Sequence, residues 1–128
     1  MKKLAWILLI AGVSLTLNNC KAFKEYKARV AAIEIENIDL QQVSDGEYTE
    51  SFDAIFVKAT VKVVVKDHRI KSIDLVEHNN GKGGDAEVIP ANVVKAQSLQ
   101  VDTISGATAS SKVILEAIEL ALKKGINK

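Results

Sequence analysis

From Ile55 the chain alternates. Val57, Ala59, Val61, Val63 and Val65 fall on one parity, and Lys58, Thr60, Lys62 and Lys66 on the other, with Val64 the exception. A period of two marks a strand with one buried face. Lys66 to Arg69 turns this strand back, and Ile73 and Leu75 face the same core from a returning strand that ends near His78. The turn carries Asp67-His68. His tolerates positive φ less well than Gly, so a turn longer than two residues, or of another type, is expected. Asp45-Gly46 is a turn signal, and the stretch from Asn79 to Asp85, with Gly81, Gly83 and Gly84, reads as a loop. Pro90 suits the first turn of a short helix running to about Leu99. Then the period changes. Val113, Ile114, Ala117, Ile118, Ala121 and Leu122 recur at helical spacing, with Lys112, Glu116, Glu119 and Lys123 on the other side. Lys112–Glu116 and Glu119–Lys123 are each four apart, worth about 0.2–0.5 kcal/mol per pair. Gly125, after basic residues, reads as a stop. These elements predict an α+β fold: a small antiparallel sheet covered on one side by helices.

The N-terminus follows another logic. Lys2 and Lys3 precede an apolar run of 14 residues, Leu4 to Leu17. As a helix it reaches about 21 Å, short of a hydrocarbon core about 30 Å thick and suited to a signal-peptide h-region. An uncleaved membrane anchor is the other reading. Cys20 is the sole cysteine, so no internal disulfide can form. Leu17-Asn18-Asn19-Cys20 resembles a bacterial lipobox, in which the cysteine is lipidated and becomes the new N-terminus. It departs from that pattern in having Asn19, not a small residue, before the cysteine. An incidental cysteine in a signal or anchor segment is the alternative. Each reading places the domain at the extracytoplasmic face of a bacterial membrane. The organisation is a signal or anchor over 1–20, a spacer over 21–42 and one domain over 43–125, with the spacer a helix followed by an extended lead-in.

At 128 residues the chain can build one small domain with one core. It has 17 Lys and Arg against 16 Asp and Glu; without Lys2 and Lys3 the balance is 15 to 16. With no basic tract there is no electrostatic reason to bind nucleic acid. Lys21, Lys24, Lys27 and Arg29 could touch anionic lipid beside the anchor, or simply be solvated. No His, Cys, Asp and Glu group has metal-ligand spacing.

Asp102-Thr103-Ile104-Ser105-Gly106-Ala107-Thr108-Ala109-Ser110-Ser111 is small and rich in hydroxyls, and opens directly onto the periodic helix. The first turn of a helix has N–H groups without partners and a positive dipole end, so it suits an anion. Four small residues before a helix also make an ordinary N-cap. Ser105-Gly106-Ala107-Thr108, preceded by Asp102, resembles the flavinylation motif of the FMN-binding domain family, found in subunits of sodium-pumping NADH:quinone reductase and related electron-transport complexes. Asp45-Gly46-Glu47-Tyr48-Thr49 is similar to that family's opening strand, Glu77 to Gly84 to its middle glycine loop, and Gln97 to Asp102 to its approach to the motif. The family commonly has Asp-Gly where this chain has Asp67-His68.

The resemblance implies FMN joined through a phosphoester to Thr108. No strong base lies beside Thr108 in sequence, and a threonine hydroxyl needs a base, a metal or another enzyme to act as nucleophile. The family uses a separate magnesium-dependent flavin transferase with FAD as donor. On that basis Gly106 and Ala107 leave room for the donor and the transferase, and Ser105, Ser110 and Ser111 donate to phosphate oxygens. Asp102 either caps the loop or meets the transferase's metal. His78 is a flavin contact or a satisfied surface residue. Tyr48, Phe52 and Phe56 either line the isoalloxazine ring or are plain core. The expected function is a membrane-tethered electron carrier, with redox proteins or a quinone-linked complex as partners. One domain of this size leaves little material for a substrate pocket of roughly 300 Å³. An accessory flavoprotein subunit of a reductase complex and a flavin-free envelope lipoprotein acting as a binding module are the alternatives.

Overall fold

The computed structural model describes residues 19–126. The apolar run Leu4–Leu17 lies outside the described residues. None of the described helices is long and apolar enough to cross a membrane.

Three strands, β1 (Gly46–Asp53), β2 (Lys58–Lys66) and β3 (Arg69–Asn79), form one antiparallel sheet in the order β1-β2-β3. Helix α1 covers residues 19–31 of the described chain. Helix α2 (Ile89–Ala96) follows a 3-10 turn over Gly84–Val88, and α3 (Thr108–Ile126) closes the fold. The architecture is α+β, with α3 packed across the inner face of β1 and β2.

The alternation in β2 sets this arrangement. Val57, Ala59, Val61, Val63 and Val65 are all buried, as the period of two requires. Val113, Ile114, Ala117, Ile118, Ala121 and Leu122 of α3 meet them and are buried too. Each such side chain contributes about 1.5–3 kcal/mol when fully buried, Ala less. Glu119, expected on the outer side of α3, is only 2% exposed, and its carboxylate pairs with Lys123 at 2.9 Å. Gly125 does not stop the helix, which continues to Ile126. A Cβ at Gly125 would lie 2.6 Å from Val43 Cγ1 and 2.9 Å from the Tyr48 ring, so the glycine lets α3 approach the start of β1. The helix from Ile89 ends at Ala96, short of Leu99. Gln97 turns left-handed there (φ 52°), and its amide bonds Ile70 N–H, Ile70 O and Val94 O.

The β2–β3 turn is two residues after all. Lys66 pairs with Arg69, and Asp67 and His68 take φ of 52° and 60°. Positive φ at both central positions gives a two-residue hairpin its fit to strand twist. Contacts outside the hairpin hold it. Asp67 N–H donates to Asp45 Oδ1 at 2.9 Å, and His68 Nδ1 lies 3.3 Å from Leu40 O.

Residues 21–42, read from the sequence as a spacer, are folded onto the domain. Ile33 is buried, and Tyr26, Val30, Ile35, Ile38 and Leu40 pack against the core. Arg29 donates to Asp53 O at 3.0 Å and Asn37 accepts from Ser98 at 3.2 Å, tying α1 and the lead-in to both ends of the domain.

Candidate functional site

The small-residue segment forms a tight turn and then a helix. Ala107 N–H donates to Ile104 O at 2.9 Å, with Gly106 at φ 79°. A positive φ at the third position of such a turn is what glycine supplies. Ser111 N–H donates to Ala107 O at 2.9 Å and makes the first bond of α3. Ala107 is therefore the cap residue, although it has no side-chain acceptor. Ser111 takes over that work from within the first turn. Its hydroxyl donates to Ala107 O at 2.8 Å and accepts from Ile104 N–H at 3.0 Å, and the residue is fully buried. The ordinary reading, in which a Ser or Thr of the motif caps the helix, does not describe this turn.

Thr108 follows as the first residue of α3 and is exposed. The N–H groups of Thr108, Ala109 and Ser110 have no intrahelical acceptor. A cavity of about 180 Å³ opens beside them, walled by Tyr26, Val57, Asn80, Lys82, Gly83 and the stretch Gly106 to Ser110. The glycine loop and the helix start are pressed together here. A Cβ at Gly83 would lie 2.1 Å from Ser110 Oγ and 2.7 Å from Ser110 Cβ.

His78 reaches this cavity only through Ser110. Its Nε2 lies 3.1 Å from Ser110 Oγ and its Nδ1 3.1 Å from Glu87 Oε1, while the Asn80 amide nitrogen is 3.4 Å from Nδ1. A carboxylate can only accept, so the proton sits on Nδ1, and in the neutral ring Nε2 accepts from Ser110. The His78 side chain is 2% exposed, so it is not a surface residue. A bulge puts it there. Leu75 pairs with Val61 but Glu77 with Thr60, so Val76 is the extra residue and His78 falls opposite Ala59 on the buried face.

The other expected site residues scatter. Ser105 and Gly106 are exposed on the turn. Asp102 lies on the far side of the loop, at open grooves of about 530 and 320 Å³ that share Gln100, Val101 and Asp102. These are open surface grooves along residues 99–104, which carry no helix or strand between α2 and α3. Tyr48 is buried in the core against Gly125 and hydrogen-bonds Ser44 O. Phe52 is half-buried beside Arg29, Ala32, Ile33 and Glu116.

Phe56 stays exposed and meets Tyr26 edge-on, ring centroids 5.6 Å apart at 77°. The aromatic residue that walls the Thr108 cavity is thus Tyr26, from α1. Ala22, Tyr26 and Val30, four residues apart and each partly covered, were the available signal for that inward stripe. Beside Phe56 the chain is strained. Phe56 N–H donates to Ala54 O at 2.9 Å across Ile55, whose φ is 71°. A three-residue turn with positive φ at a β-branched residue costs about 1–3 kcal/mol.

A model of the FMN-binding domain family matches residues 57–123, over half of the chain. The chain belongs to that family, and FMN is its cofactor. A protein of Treponema pallidum (strain Nichols), described as uncharacterized, is 30% identical over 86 residues. The match takes in 65% of this chain and 24% of that protein, so the chain spans about a quarter of the relative's length. No solved structure matches the chain. The residues present fit the phosphate end of FMN. Lys82, Asn80 and the first turn of α3, whose leading N–H groups have no intrahelical acceptor, line one cavity with the exposed Thr108.

Proposed function

We propose that this is a membrane-tethered, extracytoplasmic electron carrier whose FMN is joined through its phosphate to Thr108. One observation carries the reading: the Thr108 hydroxyl stands exposed at a cavity that also holds a lysine, an amide and free helix N–H groups. Attachment turns the phosphate into a phosphodiester with one negative charge. Lys82 neutralises that charge, and the first turn of α3 donates to its oxygens. Ser111 holds the turn in shape from inside. Ser110, whose hydroxyl is bonded to His78, lines the same cavity.

None of the polar groups at the cavity is a ready base for the Thr108 proton. This fits what the family resemblance implies, that a separate magnesium-dependent flavin transferase makes the bond with FAD as donor. In that transfer Thr108 would supply the accepting oxygen for the FMN phosphoryl group of FAD, with AMP as the leaving group and the hydroxyl proton passing to the transferase. Asp102 faces the grooves away from the cavity, which supports a contact with the transferase over one with the flavin. Once attached, FMN supplies the redox chemistry, and the protein holds and orients it. Electrons come from and go to other redox proteins or a quinone-linked complex.

Co-expression with a flavin transferase is expected to add the mass of one FMN minus water, retained in urea. Thr108→Ala abolishes that gain and changes stability by less than about 0.5 kcal/mol, because the side chain is exposed. Ser105→Ala lowers the yield without abolishing it. Flavin released by urea, or mapped by peptide mass to Ser105, Ser110 or Ser111, would overturn the assignment.

A further inference from the structure

The cavity at Thr108 is about 180 Å³. Sites that enclose a drug-sized ligand run from roughly 300 Å³ upward. The cavity can take the phosphate and the start of the ribityl chain, and the tricyclic ring must lie outside it. The surface that continues the cavity wall at Tyr26 is aromatic, with the Lys27 ammonium 4.8 Å over the Phe23 ring at its far end. Tyr26 contacts Phe56 at 5.6 Å between centroids and Phe23 at 6.1 Å. Phe23 and Phe56 are 49% and 50% exposed, and Ile55 37%. These are four of the larger exposed or half-exposed apolar side chains of the chain, gathered on one side of one cavity. The strained turn at Ile55 is what holds Phe56 outward against Tyr26. Strain kept beside a ligand position is a sign of a surface shaped for use.

We propose that Phe23, Tyr26 and Phe56 form a shelf on which the isoalloxazine ring of the attached FMN rests. The inference builds on FMN attachment at Thr108 and adds residues that lie outside the family match, two of them on α1. An aromatic shelf receives a flat, electron-poor ring by offset or edge contact and excludes water from one of its faces. The other face stays open to redox partners. The helix next to the N-terminal segment thereby becomes part of the cofactor site.

The test uses two forms of the protein. In the flavinylated protein, the close tyrosine ring quenches flavin emission and the three rings together immobilise the flavin. Emission is expected well below that of free FMN, with anisotropy matching rotation of the whole protein. Tyr26→Leu raises the emission per attached flavin severalfold, and Phe23→Ser with Phe56→Ser lowers the anisotropy. In the protein without attached flavin, lumiflavin, which has the ring but neither ribityl chain nor phosphate, is titrated. Tyr26→Leu or Phe56→Ser weakens its binding by about two- to tenfold, the factor that goes with one aromatic contact. Far-UV circular dichroism and melting of each variant confirm an intact fold. If mass shows no attachment, Thr108 chemistry fails while lumiflavin still reports on the shelf. Attached flavin that emits and tumbles as it does on an unfolded peptide, or lumiflavin binding unchanged in these variants, would overturn the shelf.

Discussion

Gly83 and Ser110 show what the glycine loop is for. The side chain that a Cβ at Gly83 would strike is the one that carries the bond to His78. Gly83→Ala must push Ser110 or the loop aside, and overpacking of this kind costs about 1–3 kcal/mol. In a Ser110→Gly background the obstacle is gone, so the same change is expected to cost less. Urea denaturation of the four proteins of this double-mutant cycle measures the coupling, and strict additivity would show that the two positions do not meet. His78 carries a related lesson. Its place on the buried face depends on the extra residue at Val76, and a bulge leaves no trace in an alternating pattern. From sequence it could only be a histidine near a strand end. The motif residues were legible in identity but not in role. Ser111 reads like its neighbours Ser105 and Ser110, yet burial makes it the pin of the turn.

Among the elements, β2 and α3 were legible because each has one buried face and a clean period, and burial follows that period almost position by position. Glu119 breaks it. The inward turn of its carboxylate brings two acids together on α3, and one carboxylate oxygen of Glu119 is buried without a hydrogen-bond donor. Partial burial first, then the charge of Glu119, pushes the Glu116 carboxyl above its ordinary value of 4.5. A raised pKa means that the folded chain holds this proton more tightly than the unfolded one. The favourable contribution is complete below the ordinary value and is lost as pH rises through the folded value. Glu116→Gln mimics the protonated form. It is expected to raise stability at pH 7, by less than about 1 kcal/mol given the solvent screening, and to make no difference near pH 3.5. Melting curves across that range check it, and a gain that persists at low pH would place the cause elsewhere. Helix α1 was the least legible element. Its single inward stripe is short, its other faces are lysine-rich, and its contacts with Asp53, Phe56 and the Thr108 cavity are all long-range.

At the scale of the whole molecule, α1 runs from Cys20 to the wall of the Thr108 cavity at Tyr26. Cys20 is exposed near its described start, and Tyr26 follows six residues on, about 9 Å along a helix. A tether at or before Cys20 would therefore hold the flavin close to the lipid headgroups, within reach of membrane-bound redox partners. Two anchors fit that geometry, a lipid on Cys20 or the retained Leu4–Leu17 segment. They separate cleanly in a Cys20→Ala variant, because a cysteine thiol is the only side chain that can take the lipid thioether. Under the lipid reading, the variant loses palmitate label entirely and keeps an unprocessed N-terminus, while the wild type begins at Cys20. Under the helical reading, label is absent from both proteins, and both stay in the membrane with the same N-terminus. A protease added to intact spheroplasts should reach the domain in either case. Wild type recovered in the cytosol and protected from that protease would defeat both anchors, and with them the placement of the flavin outside the membrane.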